Sequence, residues 1–249
     1  MTNGWTCARR AAARLLPIVA LLALAAPAQS QTQACPAPLA GARRLVLVTA
    51  ETMNATAARL QLFERASPAD PWRALGPAEP ALIGKAGMAW SHFFRRLARP
   101  GEPIKVEGDK RAPAGIYPIG RSFGTVASQR AGHLQVTGDT VCVYDPSSAA
   151  YNTITSRASV GPKVSVENMS RMLPMYRRGI VVDYPTDARA RAGSCIFIHV
   201  WRTPTTGTAG CVALPEAKVE ALQDFSEAGT VIAILPRRAL DRLPGCLPN

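Results

Sequence analysis

Nineteen glycines and 21 prolines interrupt this chain of 249 residues, and after Ala26 no apolar run approaches a dozen residues before it is broken. Such punctuation excludes a coiled coil or a helical bundle and leaves short strands joined by turns. Because 47% of the residues are apolar, those strands have enough side chain to bury a sizeable core, which also excludes intrinsic disorder.

The N-terminus is the exception. Arg9, Arg10 and Arg14 precede an apolar run from Leu15 to Ala26, followed by small residues around Ala28 to Ser30, the pattern of a secretory signal peptide over residues 1–30. The run is shorter than the ~20 residues a membrane-spanning helix needs, and no transmembrane segment is expected elsewhere. The expected product is exported to the periplasm or cell envelope. Loss of the three arginines would lower the net charge of +12 to a still basic surface, which suits an anionic envelope polymer better than nucleic acid.

Residues 31–42 read as a Pro/Ala-rich linker and residues 43–249 as one domain, without internal repeats. After Cys7 leaves with the leader, Cys35, Cys142, Cys195, Cys211 and Cys246 remain, an odd number for an oxidising compartment. Of the three connectivities open to any four of them, the expectation is Cys35 with Cys246, tying the termini together, and Cys142 with Cys195. One thiol is then left over, and catalysis would explain its persistence.

Leu45 to Ala50 suits a buried strand, and Ala58 to Glu64 alternates as its neighbour. Pro68 to Pro80 reads as turns. Lys105 to Ile119, with Gly108-Asp109, Pro113 and Gly115, reads as a turn or hairpin between two β-leaning pieces. Thr140 to Tyr144, Ile180 to Tyr184 and Thr230 to Leu235 are further strands. One helix is expected over Pro215 to Glu227, with Val219, Leu222 and Phe225 on one face.

The chemistry concentrates between Gly193 and Leu214. On a strand from Cys195 to Trp201, Ile196, Ile198 and Val200 share one face and Cys195, Phe197, His199 and Trp201 the other. The turn from Pro204 to Gly207 returns the chain so that Cys211 stands beside His199. Cys195, four residues along the strand from His199, lies ~13 Å away, too far for a direct bond. Cys211 and His199 are therefore the candidate nucleophile and base, and the thiol is expected to be drawn toward thiolate by its neighbour. Gly210 lets substrate approach closely, backbone N–H groups around Gly210 and Cys211 suit an oxyanion hole, and Thr208 suits orientation of the turn.

His199, followed by Thr208-Ala209-Gly210-Cys211, resembles the active-site signature of the YkuD-type L,D-transpeptidases, in which a His precedes Ser/Thr-x-Gly-Cys. Upstream, Glu107-Gly108-Asp109, Pro113 and Gly115 resemble the family's Glu-Gly-Asp-x-x-x-Pro-x-Gly segment. Cysteine peptidases of the papain and NlpC/P60 types run in the opposite order. The chain departs from the pattern at Ala209, where many members have His, at Ala213, where they have Arg or Asn, and in a shorter His-to-Cys interval.

The resemblance implies a mainly β fold, a YkuD-like sandwich or barrel-like domain with a few short helices, acting as a monomer without metal or cofactor. Its substrates would be peptidoglycan stem peptides. Cys211 would form a thioester with release of the terminal D-Ala. Transfer to an amine would give a 3-3 crosslink or attachment of a wall-anchored protein, and transfer to water would give carboxypeptidase activity. A backbone carbonyl near Val200 would orient His199, and Tyr151, Trp201 and Ala209 would meet substrate. The alternative from another class is a non-catalytic binder of peptidoglycan or other polyanions.

Elsewhere, His92 and His133 are isolated, and Gly84-Lys85-Ala86-Gly87 lacks the spacing of a phosphate loop. Arg95, Arg96 and Arg99 beside Phe93 and Phe94 read as a solvated basic face. Met169 to Tyr176 reads as core, with a lid as the alternative, and Tyr144 as a residue of the cleft.

Overall fold

The computed structural model describes residues 1–4 and 34–248; the leader expected over 1–30 falls almost wholly outside them. Among the described residues fourteen strands follow one another, first β1 (Arg44–Ala50), β2 (Ala57–Glu64), β3 (Arg73–Ala74), β4 (Glu79–Leu82), β5 (Met88–Trp90), β6 (Ala112–Gly124) and β7 (Leu134–Gln135). Then come β8 (Thr140–Val143), β9 (Ile154–Ser156), β10 (Val166–Asn168), β11 (Gly179–Val182), β12 (Phe197–Val200), β13 (Val212–Leu214) and β14 (Val231–Pro236). Two α-helices, α1 (Ala37–Ala40) and α2 (Glu216–Phe225), and several 3-10 turns accompany them among the described residues.

Eight strands hydrogen-bond in the order β1-β14-β6-β11-β12-β13-β4-β2, and β2 pairs back onto β1. This closes the sheet into a barrel without a free edge along the path. The expected β1/β2 neighbours are antiparallel, Leu45 opposite Phe63 and Val48 opposite Leu60, while β14 lies parallel to β1. The interior is aliphatic, with Leu45, Val46, Val48, Ile116, Ile198, Val212, Ile232 and Ile234 all essentially inaccessible. α2 adds Val219 and Leu222 to the same core.

Three expectations change. Of the turn or hairpin expected over Lys105 to Ile119, the turn is present at Glu107–Gly108 but the hairpin is not: a loop runs to Arg111, and then β6 extends 13 residues, pairing in turn with β5, β14 and β11. Pro113 stands near its start, and Pro118 is the last residue paired with β14 before Ile119 passes to β11. Pro118 therefore sits where the strand changes partners, and Pro113 lies opposite Ala89 of the short strand β5, positions where a missing N–H costs the ladder little. Gly115 adopts φ 156°, and a Cβ there would stand 2.2 Å from Tyr117 Oη, so this strand position needs glycine for space. The supposed linker is part of the domain from Cys35 onward, since Leu39 and Ala42 are core residues. Within the segment expected as turns, short strands β3 and β4 occur.

Cys35 is bonded to Cys246 and Cys142 to Cys195. A separate sheet, β10-β8-β9, lies with the 3-10 turns Met169–Arg171 and Met175–Arg177 over a second buried cluster. That cluster contains Phe123, Cys142, Met169, Tyr176, Phe197 and Cys211. Its rings meet edge to face, with Phe123 and Phe197 centroids 5.1 Å apart and Tyr176 and Phe197 5.7 Å apart, the favoured arrangement for aromatic quadrupoles.

Candidate active site

β12 and β13 run parallel, with Ile198 opposite Val212 and His199 opposite Ala213. Paired residues of neighbouring strands project from the same face, so Phe197, His199, Cys211 and Ala213 share one side. The other side, with Ile196, Ile198 and Val200, enters the barrel core. The two-residue alternation of one strand thus separates a structural face from a chemical one, as the sequence pattern predicts.

His199 is buried. Its Nδ1 lies 2.8 Å from the Val200 carbonyl oxygen; as the donor in that bond, Nδ1 carries the proton and leaves Nε2 as an acceptor. Tyr176 stacks edge to face against the imidazole, centroids 5.5 Å apart. Burial lowers the imidazole to about 4, only partly opposed by the bond to Val200, so the ring is neutral at physiological pH.

Cys211 is the one free cysteine among the described residues, and it is buried. Its Sγ donates to the Cys195 carbonyl oxygen at 3.4 Å. Burial, reinforced by the negative charge of Glu167, pushes the thiol up to about 12, with the Phe197 amide and Lys105 acting weakly in the other direction. The expectation of a resting thiolate is therefore corrected. The resting group is a thiol, and a proton acceptor must act as the sulfur attacks.

The loop before Cys211 is organised by Thr208. Its Oγ1 donates to the Cys211 carbonyl oxygen at 2.7 Å and accepts the Gly210 N–H at 3.0 Å, while its backbone bonds Ile83 and Lys85. Gly210 has φ 150°, and a Cβ there would reach 3.0 Å from the Arg111 carbonyl oxygen. Because Thr208 occupies the Gly210 amide, that group is not a free oxyanion donor. The Cys211 amide is not so engaged.

Cys211, His199, Thr208, Ala209, Gly210 and Ala213 line one cavity of about 480 Å³, within the range of small-ligand sites. Lys85, Lys105, Lys110 and Arg202 bring positive charge to its wall, Glu107 and Glu167 negative charge. Tyr144, Met172, Met175 and Tyr176 also line it, so the stretch read as core or lid supplies both core, through Met169 and Tyr176, and cavity wall. Tyr151, Trp201 and Val200 are not among the lining residues. Tyr151 Oη instead donates to Glu107 Oε2 at 2.6 Å and accepts the Gly193 N–H, and the backbone N–H of Trp201 donates to the Leu214 carbonyl.

Three features went unread in the sequence. Ser194 Oγ joins Tyr151 on Glu107 Oε2, also at 2.6 Å, which gives the glutamate of the Glu-Gly-Asp segment two donors. Asp109 of that segment holds Lys105 Nζ at 2.5 Å and the Val106 and Arg111 amides, fixing the loop. Cys195 takes φ 55° and precedes β12 instead of lying in it, which places its carbonyl against Cys211; the expected disulfide to Cys142 removes it as a rival nucleophile. The order Glu-Gly-Asp was the available signal for the first two, while nothing local announced the third.

His133 bonds Ser122 Oγ at 2.9 Å and His92 bonds Arg95. No cluster of three metal-ligating side chains occurs among the described residues.

A family model described as the L,D-transpeptidase catalytic domain, YkuD, matches residues 58–234. No curated protein and no solved structure matches the chain.

Proposed function

The chain belongs to the YkuD L,D-transpeptidase catalytic-domain family, and from that premise we propose that it is an exported, cysteine-dependent acyltransferase acting on peptidoglycan stem peptides. The observation that carries the reading is one cavity holding a free Cys211 and a His199 whose Nδ1 is committed to Val200, so that Nε2 is the free basic atom.

In the first half-reaction Cys211 Sγ attacks the carbonyl that precedes the terminal D-Ala. The Sγ–C bond forms, the C–N bond breaks, and the thiol proton travels through His199 Nε2 to the departing amine. Both groups start neutral in a buried site, which favours transfer of the proton during attack over a standing ion pair. The Cys211 N–H serves as an oxyanion donor, in a loop held by Thr208. The cationic wall of Lys85, Lys110 and Arg202 suits the carboxylates of a stem peptide. In the second half an amine takes the acyl group and Cys211 regains its proton. Val200 acts through its carbonyl; Tyr151 and Trp201 are proposed to meet parts of the substrate extending beyond the cavity, and Ala209 the part within it.

Two disulfides fit an oxidising compartment, and no described helix is long and apolar enough to cross a membrane. These support export, with the Arg-flanked apolar leader as its signal. The test is intact mass after incubation with a tetrapeptide stem or a carbapenem, with release of D-Ala measured on the stem. One adduct on the native protein and none on Cys211→Ala is expected. Turnover retained by a folded Cys211→Ala overturns the assignment, and a native protein that neither acylates nor turns over leaves the polyanion-binding reading.

A further inference from the structure

Glu167 is a carboxylate that the first half-reaction does not use and that acts against it, because its charge raises the thiol of Cys211. It stands on β10 directly opposite Cys142 of β8, and residues paired across an antiparallel ladder project to the same side. Cys142 is bonded to Cys195, whose carbonyl receives the thiol of Cys211. One covalent link and one ladder pair therefore hold Glu167 over the nucleophile.

The side chain is only half satisfied. Tyr176 Oη donates to Oε1 at 2.6 Å, and no described group donates to Oε2. No described lysine or arginine forms an ion pair with it: Lys105, the nearest cation to the thiol in effect, is held by Asp109 and the Val106 carbonyl. Yet Glu167 lines the cavity with Cys211 and His199. A carboxylate facing a reaction cavity with one oxygen unused suits a cationic guest.

Resting on the acyl-transfer reading above, we propose that Glu167 binds the acceptor as a primary ammonium and takes its first proton. The acyl-enzyme must discriminate between amine and water. An amine arrives at neutral pH as an ammonium, which carries no lone pair for attack. Glu167 Oε2 accepts one proton from that ammonium and frees the lone pair. As the new C–N bond forms and the C–S bond breaks, the second proton passes through His199 Nε2 to Sγ, restoring the thiol. Glu167 then loses its proton to water when the product leaves, so protons and charge balance over the step. Burial raises the carboxyl of Glu167 above its ordinary value, which suits a group that must accept this proton. The Tyr176 hydroxyl keeps the carboxylate aimed while the Tyr176 ring holds His199, so one aromatic residue orients the two proton-handling groups. The acceptor class selected is a side-chain or terminal primary amine, and water is the competitor.

Glu167→Gln is the decisive variant, since the amide oxygen still accepts the Tyr176 hydroxyl. With a tetrapeptide stem as donor, D-Ala release counts the acyl-enzymes formed, and product analysis divides them between water, a second stem carrying its amine, and hydroxylamine, which is uncharged at neutral pH. The expected result is a fall of roughly tenfold or more in the share captured by the stem amine, with the hydroxylamine share retained. Equal losses on both nucleophiles, or an unchanged stem-amine share, overturn the role of Glu167 while leaving the transferase reading standing. A native protein that releases no D-Ala overturns both.

Discussion

The two sides of β12 make different uses of burial. On the barrel side, Ile196, Ile198 and Val200 join a largely aliphatic core. On the opposite side, Phe197 and His199 join an aromatic and sulfur cluster, where burial moves an imidazole down and a thiol up. The same exclusion of water stabilises the fold on one side and sets protonation states on the other. The Cys142–Cys195 bond and a three-stranded sheet cover the chemical side, while the second bond, Cys35–Cys246, packs against the barrel core.

The contrast predicts that neighbouring residues fail in different currencies. His199→Gln is expected to lower D-Ala release from a stem peptide by about 10²- to 10⁴-fold, the usual worth of a positioned general base, with little change in melting temperature. Ile198→Ala, one position away and fully buried, is expected to cost about 2–5 kcal/mol in denaturant unfolding while the folded fraction still acylates. If both variants lose stability equally, the division of the strand into two faces is wrong.

Acid should expose the chemical side selectively. His199 binds its proton at about 4 in the folded protein and at ~6.5 in the unfolded chain. Between those values the unfolded state holds more protons, so stability present above pH 6.5 drains away as pH falls through 4, by about 3 kcal/mol. Unfolding curves of native protein and His199→Gln across this window would show the slope and its reduction in the variant. The thiol works in the other direction: iodoacetamide labelling of Cys211 should remain slow at pH 8 and still be rising at pH 10, given a folded value of about 12.

The smallest expected effect separates the disulfides. Removing Cys142–Cys195 by double serine replacement is expected to cost about 2–4 kcal/mol together with a several-fold loss of acylation, because the Cys195 carbonyl is released. Removing Cys35–Cys246 is expected to cost a comparable stability with acylation per folded molecule unchanged. Parallel unfolding and mass-adduct measurements would reveal a shared kinetic defect, which would contradict a local role for the first bridge.

Much of this arrangement was legible in the sequence because it rests on local periodicity. The alternation around Ile198 gave the correct faces, the β1 and β2 runs paired as neighbours, Pro215 and the Val219/Leu222 spacing marked α2, and both cysteine pairs formed as expected. Illegible features depend on partners distant in the chain. A proline or glycine inside β6 reads locally as a break, and only the change from β14 to β11 beside Pro118 and the crowding of Phe94 and Tyr117 over Gly115 account for them. Glu107 receives Tyr151 and Ser194 from 44 and 87 residues away, and Glu167 reaches the site through a ladder partner and a disulfide. The thiol's protonation was misjudged for the same reason, since a depth of burial is a property of the whole fold.

The bond between Cys35 and Cys246 spans 211 residues of sequence, and it makes the domain a closed ring. A tether pulling on the chain before Cys35 and after Cys246 would load that single bond and the few residues beside it. The parallel ladder of β1 against β14, which would otherwise be sheared from its ends, is mechanically bypassed. The barrel is thus shielded from tension by a covalent shortcut, and reduction of one bond would place its two terminal strands directly in the line of force.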